Sequence, residues 1–295
     1  MKKSLPTLNL IISMTIFGTV GIFVRYVGMP SGFVAMMRGF IGVAFILIWM
    51  AATRRRIDLT AIRANLLVLI LSGAAIGVNW IFLFESYRHT TVATATLCYY
   101  MAPVFLIIAA PLFLKECITP VKAVCVAVSI LGMFFVSGVA DNGLPTGDDA
   151  LGIIFGLLAA VFYTSVIVLN KKLRDIDPYN KTAVQLLAAA IAVSPYALFA
   201  EGIPIAKFNT VPTLMLLIVG IFHTGLAYVL YFGSLSGVSA QSVSIYSYID
   251  PILAVILSAL LLSEPMTTYG ILGAVLILLS TLVASLDVKN MKKRR

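Results

Sequence analysis

Charged residues are scarce in this chain: Asp, Glu, Lys and Arg together make up 11% of its 295 positions. An ordinary soluble domain carries about twice that share. Hydrophobic residues rise instead to 61%, so a soluble fold would lack the polar surface that it must present to water. The length would allow one large soluble domain or two small ones, but the composition decides the class and indicates an integral membrane protein.

Cysteine and histidine are also rare, with three cysteines and two histidines in the chain. The cysteines form no CxxC pair of the metal-binding kind, and all three lie in or beside apolar segments. The chain lacks a P-loop, an H-E-x-x-H motif and a G-x-S-x-G nucleophile elbow. We therefore predict no metal, no cofactor and no enzymatic activity, and the missing P-loop argues against ATP-driven pumping by this chain alone.

Long apolar runs are abundant. A helix needs about 20 apolar residues to cross the hydrocarbon core of a bilayer, whereas a transmembrane barrel would show alternating segments of about ten residues. The runs here are long and continuous, and the loops between them are too short to form a soluble domain. We predict an all-α membrane protein with ten transmembrane helices, at residues 8–27, 31–52, 64–87, 90–114, 119–138, 151–173, 182–200, 212–233, 239–262 and 267–286.

The net charge of +9 is concentrated in clusters at the ends of these apolar runs. Nucleic-acid binding calls for a continuous basic face with aromatic residues beside it, and this pattern differs. If the N-terminus is cytoplasmic, 17 of the 21 Lys and Arg face the cytoplasm and the acidic loop 139–150 faces outside. Lys and Arg are enriched in cytoplasmic loops, so we predict cytoplasmic N- and C-termini in the cell (inner) membrane.

The two halves of the chain repeat each other. A shift of 148 positions aligns Tyr100 with Tyr248 and Pro103 with Pro251, and a Glu follows each Pro by thirteen residues. Each half has five predicted spans, an odd number, so the halves should lie in opposite orientations. Inverted repeats place a binding site near the midplane, between halves that rock for alternating access. The predicted repeats comprise residues 1–140 and 141–295.

The segments around these prolines resemble a known family. The run Ala-Thr-Leu-Cys-Tyr-Tyr-Met-Ala-Pro-Val-Phe at 95–105 and the run Tyr-Ile-Asp-Pro at 248–251 are similar to the two copies of the fourth-helix signature of EamA-type members of the drug/metabolite transporter superfamily. Arg38 stands in the second span, where that family usually has an Arg. The resemblance implies secondary transport, often export, of amino acids or other small metabolites.

Four ionisable residues lie inside predicted spans, where charge is costly and marks a functional candidate: Arg38, Glu85, His223 and Asp250. In the family, small or apolar residues are commoner at Glu85 and His223. Asp250 could hold a cationic substrate group, exchange a proton or bond a neighbouring helix, and Glu85 could bind substrate or pair with Arg88. His223 could couple a proton or bond a neighbouring helix. Arg38 could reach the headgroups, balance one of the carboxylates or bind substrate.

Prolines interrupt two of the predicted spans. Pro251 removes a main-chain hydrogen bond and frees the carbonyl of Ser247, and Pro103 does the same for Tyr99. Free carbonyls at membrane depth are tolerated where they face protein or a water-filled cavity. We therefore predict helix kinks at Pro103 and Pro251 that border a cavity.

Aromatic residues share these spans. In the ninth span Tyr246 and Asp250 fall on one helical face with Ser239 and Ser242, which predicts a polar stripe along a cavity or a helix interface. Many of the rings should serve packing or the interface belt, but rings beside a carboxylate can recognise organic cations. The aromatic candidates for substrate binding are Trp80, Tyr99, Tyr100, Tyr246 and Tyr248.

These observations predict a secondary transporter that moves a small organic metabolite by alternating access. An amino acid or amine is the favoured substrate, export the expected direction, and a proton the candidate coupling ion. Two other classes stay open on sequence grounds. One is an intramembrane enzyme with Glu85, His223 and Asp250 as acid–base groups, and the other is a channel or a structural membrane subunit.

Overall fold

The computed structural model describes residues 4–113, 118–142, 144–235, 237–264 and 266–292, which form helices joined by short loops with no β-strand among them. Two π-helical turns belong to this architecture: Tyr196–Glu201 extends α9, and Ile221–Leu226 joins α10 to α11. The α-helices are α1 (Ser4–Val27), α2 (Ser31–Ala52), α3 (Leu59–His89), α4 (Val92–Tyr99), α5 (Ala102–Phe113), α6 (Pro120–Val136), α7 (Val139–Asn142), α8 (Gly147–Asn170), α9 (Pro178–Pro195), α10 (Thr210–Gly220), α11 (Ala227–Leu235), α12 (Ala240–Tyr246), α13 (Ile249–Leu261) and α14 (Thr268–Lys292).

Eight helical stretches of the described chain are long and apolar enough to cross a membrane, and α6 and α13 are shorter apolar helices. Three of the eight stretches combine several elements: α4 with α5, α9 with the π turn that extends it, and α10 with the second π turn and α11. The prediction of an all-helical membrane fold is therefore confirmed. The number of ten spans and the cytoplasmic position of both termini stay predictions.

Large apolar side chains cover the outside of the helical bundle as well as its interior. Leu67, Leu260 and Phe199 are 71%, 72% and 89% exposed. A soluble monomer rarely shows extended apolar patches to water, whereas the same surface is matched to the acyl chains of a bilayer. This distribution explains why the helices are apolar on nearly all sides.

Short polar side chains set the beginnings of several helices. The carboxylate of Asp58 accepts a hydrogen bond from the main-chain nitrogen of Ala61 at the start of α3. The hydroxyl of Thr91 does the same for Thr94 in α4, and Asp177 caps the start of α9. Each cap satisfies main-chain donors that the first helical turn leaves unpaired, so the short loops end in well-defined helix starts.

The two prolines predicted to kink spans lie just after true helix breaks. One break separates α4 from α5 at residues 100–101, and the other separates α12 from α13 at residues 247–248. Because α12 ends at Tyr246, the second break interrupts the helical periodicity on which the predicted stripe depended. The polar stripe predicted for Ser239, Ser242, Tyr246 and Asp250 is thus divided between two helices, α12 with its N-cap and α13, and it stays a prediction.

Candidate functional site

A cavity of about 350 Å³ lies in the centre of the bundle, a volume in the range of sites that enclose small organic ligands. Helices α1, α2, α3, α8, α9 and α11 contribute to its wall, together with the two helix breaks. Most of the lining is aromatic or aliphatic, and charged groups are few. The charged residues that line it are Arg38, Lys181 and Asp250.

Asp250 lies in the first turn of α13, directly after the second helix break. The hydroxyl of Tyr100 donates a hydrogen bond to its Oδ2 atom at 2.9 Å and lies 3.3 Å from the main-chain oxygen of Ser247. This oxygen is the one that Pro251 leaves free. The hydroxyl of one tyrosine at the first break therefore lies within hydrogen-bond distance of both acceptors at the second break. Within the described chain, no Lys, Arg or His nitrogen comes within 4.0 Å of the Asp250 carboxylate.

The main chain of Asp250 is held by α1. At Gly18, an added methyl group would lie 2.7 Å from the main-chain oxygen of Asp250, closer than van der Waals contact allows. Glycine at this position therefore lets the two helices approach and fixes the start of α13 against α1. The close contact fixes the main-chain position from which the Asp250 carboxylate extends.

Arg38 is 5% exposed and projects from α2 toward the cavity. Its Nε atom donates a hydrogen bond to the hydroxyl of Thr224 at 2.6 Å, and its guanidinium carbon lies 4.3 Å from the centre of the Trp80 ring. No carboxylate of the described residues forms an ion pair with it. Arg38 is thus a buried cation that faces a cavity and makes no ion pair with Glu85 or Asp250, and its predicted roles stay predictions.

Aromatic rings wall the space between these charges. The ring centres of Tyr99 and Tyr163 are 5.2 Å apart, and those of Phe17 and Tyr228 are 5.5 Å apart. Such distances are those of tilted and edge-to-face pairs, which hold rings in place. The rings therefore pack against one another in pairs, and Phe17, Tyr99, Tyr163 and Tyr228 all line the cavity.

Lys181 marks one end of the cavity. Its Nζ atom lies 5.3 Å from the centre of the Phe232 ring, and the nearby Gln185 amide donates to Asn170 at 2.7 Å and to Ser72 at 2.6 Å. In the sequence, Lys181 counted only as one of the loop charges that set topology, because it stands at the start of a span. The structure makes it a lining residue as well.

An ion pair outside the cavity lining joins the end of α1 to the residues that follow α13. Arg25 at the end of α1 pairs with Glu264, which follows α13. The other oxygen of Glu264 accepts hydrogen bonds from the main chain of Val92 at 2.9 Å and from the hydroxyl of Ser258 at 2.6 Å. The Arg25 side chain also donates to the main-chain oxygen of Thr90 at 3.0 Å. These contacts join α1, the start of α4 and the end of α13.

Several residues predicted from sequence do not line the cavity. Glu85 forms an ion pair with Arg88 at 2.8 Å and lies 3.5 Å from His89, at the end of α3. His223 is 2% exposed, and its Nε2 atom lies 2.9 Å from the hydroxyl of Thr19. Both contacts are the structural alternatives that the sequence left open, and the functional roles predicted for Glu85 and His223 stay predictions.

The predicted aromatic and proline candidates divide in the same way. The cavity lining includes Trp80, Tyr99, Tyr100 and Pro103. It does not include Tyr246, Tyr248 or Pro251, and the Tyr248 hydroxyl instead donates to Thr281 on α14 at 3.0 Å.

Two lining residues that the sequence reasoning did not select show different signals. Tyr228 stands 148 positions after Trp80, so the internal repeat pairs two residues that both line the cavity. This pairing could have identified Tyr228 in advance. The counterpart of Tyr163 in the first half is Thr15, which does not line the cavity, so the repeat gave no signal for it.

Comparison with known proteins decides the family. The model of the EamA-like transporter family matches the chain twice, over residues 5–138 and 150–286. The chain belongs to the EamA-like transporter family. It is therefore a multi-pass membrane transporter and not an enzyme, which confirms these predictions and removes the intramembrane enzyme as an alternative.

Relatives of this EamA-like transporter come from bacteria and archaea. It is 29% identical over 277 residues to the "Uncharacterized transporter YxxF" of Bacillus subtilis, covering 94% of this chain and 88% of the relative. An "Uncharacterized transporter" of Clostridium kluyveri is 29% identical over 262 residues, with 87% and 84% covered. A solved crystal structure aligns with 96% of this chain and 98% of its own at a TM-score of 0.66 and 17% identity, which supports the fold alone.

Proposed function

We propose that this transporter exports a zwitterionic metabolite of the amino-acid class across the cell membrane, by alternating access through the central cavity. The observation that carries the proposal is the Asp250 carboxylate, which lines the cavity, accepts a hydrogen bond from Tyr100 and has no cationic partner among the described residues. A buried charge without a partner is costly. The ammonium group of a substrate would supply the missing counter-charge.

Arg38 supports the proposal that the substrate also carries a carboxylate. It is a buried cation on the same cavity without an ionic partner in the described chain, so a substrate carboxylate would compensate its charge. The rings of Tyr99, Tyr163 and Tyr228 line the space between the two charged groups. An amino acid offers both charges and an apolar or aromatic side chain for this wall, whereas an amine offers only one of the charges.

The closure of the bundle is consistent with one state of an alternating-access cycle. Lys181 and Asn170 lie at the cavity end next to the loop 171–177, which the distribution of Lys and Arg predicts to be cytoplasmic. The Arg25–Glu264 pair joins three helices near the loop predicted to face outside. The state is then open toward the cytoplasm, where an exporter collects its substrate.

The two matches of the family model support two repeats, close to the predicted halves 1–140 and 141–295. An odd number of spans in each half would place them in opposite orientations, and rocking of one half against the other would move the opening from one side to the other. Protons remain the candidate coupling ion, with Asp250 as the group that substrate and proton would share.

Counterflow in proteoliposomes tests this function. Vesicles containing the purified protein are loaded with an unlabelled amino acid, and the uptake of its radiolabelled form is compared with that of the decarboxylated amine and the deaminated acid. We expect saturable exchange of the amino acid and weaker exchange of both analogues. Asp250→Asn should lose exchange, while Asp148→Asn, which changes an exposed carboxylate bonded only to His89 within the described residues, should retain it.

Other results would contradict the proposal. Equal exchange of the amine and the amino acid would remove the carboxylate subsite at Arg38. Exchange by Asp250→Asn at the wild-type rate would remove Asp250 from the site. A non-saturating ionic current would contradict transport by alternating access, and the absence of any exchange across a panel of amino acids and amines would contradict the proposed substrate class.

A further inference from the structure

The π-helical turn between α10 and α11 contacts Arg38, which lines the central cavity. The turn spans Ile221–Leu226, inside a stretch of chain that is otherwise regular α-helix. Such turns are rare, and they often occur at functional sites because the widened turn redirects side chains. Here two neighbouring residues of the turn point to different helices: His223 contacts Thr19 on α1, and Thr224 contacts Arg38 on α2.

The hydroxyl of Thr224 is held in one orientation. It donates to the main-chain oxygen of Val219, five residues earlier, at 3.0 Å, and it accepts from the Nε atom of Arg38 at 2.6 Å. A hydroxyl has one proton to donate, so the bond to Val219 directs its lone pairs toward the arginine. Thr224 is 0% exposed, which leaves water no access to replace this contact.

Close packing fixes the turn against α2. A methyl group added at Gly42 would lie 2.5 Å from the Cγ2 atom of Thr224, and one added at Gly220 would lie 2.6 Å from Ile41. Residues 38, 41, 42 and 45 share one face of α2 by helical spacing. The face that carries Arg38 is therefore the face on which the π turn packs, and the small residues set the distance at which Thr224 and Arg38 meet.

The remaining surfaces of the Arg38 guanidinium are arranged for a ligand. Its guanidinium carbon lies over the Trp80 ring, and its only hydrogen bond to the described residues is the one from Nε to Thr224. The two Nη groups, which form the edge that binds carboxylates, are therefore left for the cavity that Arg38 lines. Without Thr224, a flexible side chain would have only its ring contacts with Trp80 and Phe84 to orient it, and no directional hydrogen bond to the described residues.

We propose that Thr224, presented by the π turn, is a positioning residue that orients Arg38 toward the anionic group of the substrate. This inference rests on the proposed function, because it takes Arg38 as the carboxylate subsite. It gives the π turn a specific role, since the turn brings a hydroxyl to Arg38 that a regular helix would present in another direction. Thr224 itself acts through Arg38 and needs no contact with the substrate.

The test compares Thr224→Val, which keeps the shape and removes the hydroxyl, with Thr224→Ser, which keeps the hydroxyl. The KM and maximal rate of exchange are measured in proteoliposomes for the amino acid and for its decarboxylated amine. Loss of an oriented, charge-assisted contact should raise the KM of the amino acid about tenfold in Thr224→Val. The KM of the amine should stay unchanged, and Thr224→Ser should stay within about twofold of the wild type.

A double-mutant cycle separates positioning from general damage to the fold. In an Arg38→Gln background, Thr224→Val should add no further change in KM, because each substitution removes the same Arg38–Thr224 contact. A matched control is Phe222→Leu, which alters an exposed side chain of the same turn, and it should leave the preference for the amino acid over the amine intact. The melting temperature of each variant reports on folding independently.

The outcomes are distinguishable. Equal KM increases for the amino acid and the amine, additive effects in the cycle, or an unchanged Thr224→Val would overturn the role of Thr224 while leaving the proposed function standing. A wild-type protein that exchanges the amine as well as the amino acid would overturn both the carboxylate subsite and this inference. Selective loss of the amino acid, absent from the Arg38→Gln background, is the result that supports it.

Discussion

Two helix breaks in this transporter carry the same Y-x-x-P pattern, yet their tyrosines have different partners. At the first break, Tyr100 reaches across to the second and donates to Asp250 at 2.9 Å. At the second, Tyr248 turns away from the cavity and donates to Thr281 on α14 at 3.0 Å. The position equivalent to Asp250, 148 residues earlier, is Ala102. The repeated pattern builds the scaffold twice, and single differences between the copies create the polar site once.

Substitutions at the positions where the two breaks differ, Asp250 and Ala102, should have the largest effect on substrate transport. Asp250→Ala should abolish exchange, a loss of about 100-fold or more, because it removes the carboxylate that we propose to bind the substrate ammonium group. Adding Ala102→Asp should not restore it, since the equivalent tyrosine of the second break, Tyr248, is bonded to Thr281. Counterflow in proteoliposomes measures both variants. Recovery of exchange in the double variant would mean that the breaks are interchangeable.

Removal of the Tyr100 hydroxyl should have the next largest effect. Tyr100→Phe leaves the carboxylate of Asp250 and the free carbonyl of Ser247 without their donor. We expect the KM of exchange to rise about tenfold, the usual cost of a hydrogen bond to a charged group. Substrate titration of the exchange rate measures it, and an unchanged KM would show that Tyr100 does not orient the carboxylate.

A methyl group at Gly18 should act on the same carboxylate through the main chain. In Gly18→Ala the new methyl would lie 2.7 Å from the main-chain oxygen of Asp250, so α1 and α13 must move apart. Overpacking of this kind costs about 1–3 kcal/mol, and we expect a lower melting temperature together with weaker substrate binding. The control is Gly233→Ala, whose nearest neighbour is the flexible end of Tyr179 at 3.1 Å. Equal effects of the two substitutions would contradict this explanation.

The smallest effect is expected at the second tyrosine. Tyr248→Phe and Thr281→Val each remove one partner of a hydrogen bond that lies outside the cavity lining. Each should lower the free energy of unfolding by about 1 kcal/mol and leave the KM of exchange unchanged. Thermal unfolding and counterflow together measure this. A KM that shifts as far as in Tyr100→Phe would remove the distinction between the breaks.

The fold and part of the site follow from the sequence because bilayer physics acts on local patterns. Apolar run length predicts helices, and the prolines predict breaks whose free carbonyls need partners. These rules identified Arg38, Trp80, Tyr99, Tyr100 and Asp250, and all five line the cavity. In each case the signal is a residue type that lipid would reject, or an aromatic ring near such a residue.

The same reasoning fails where the direction of a side chain depends on packing. Burial cost marks Glu85 and His223 as unusual; the helical spacing offered Arg88 as a partner for Glu85, but no local pattern names Thr19 as the partner of His223. Lys181 lies near the start of a helix, so its sequence position assigned it to the loop charges that set membrane orientation. The structure shows that it also lines the cavity. Glu116, the first copy of the motif glutamate, lies outside the described residues.

The π turn is a further feature that local sequence patterns do not predict. Nothing in the run Ile-Phe-His-Thr-Gly-Leu at 221–226 distinguishes a π turn from an α-helix by hydrophobic spacing. The widened turn is accompanied by contacts with Thr19, Arg38 and the glycine-lined face of α2. Tertiary packing of this kind has to be seen in the assembled bundle.

Ligand-dependent thermal stability tests the central claim most directly. A ligand that binds only the folded protein raises its melting temperature as the ligand concentration rises. We predict that a zwitterionic amino acid from a broad panel stabilises the wild type and Asp148→Asn, and that Asp250→Asn loses this response while its melting temperature without ligand stays close to that of the wild type. Stabilisation of Asp250→Asn at the same ligand concentrations as the wild type would contradict the account, because the carboxylate would then not bind the substrate.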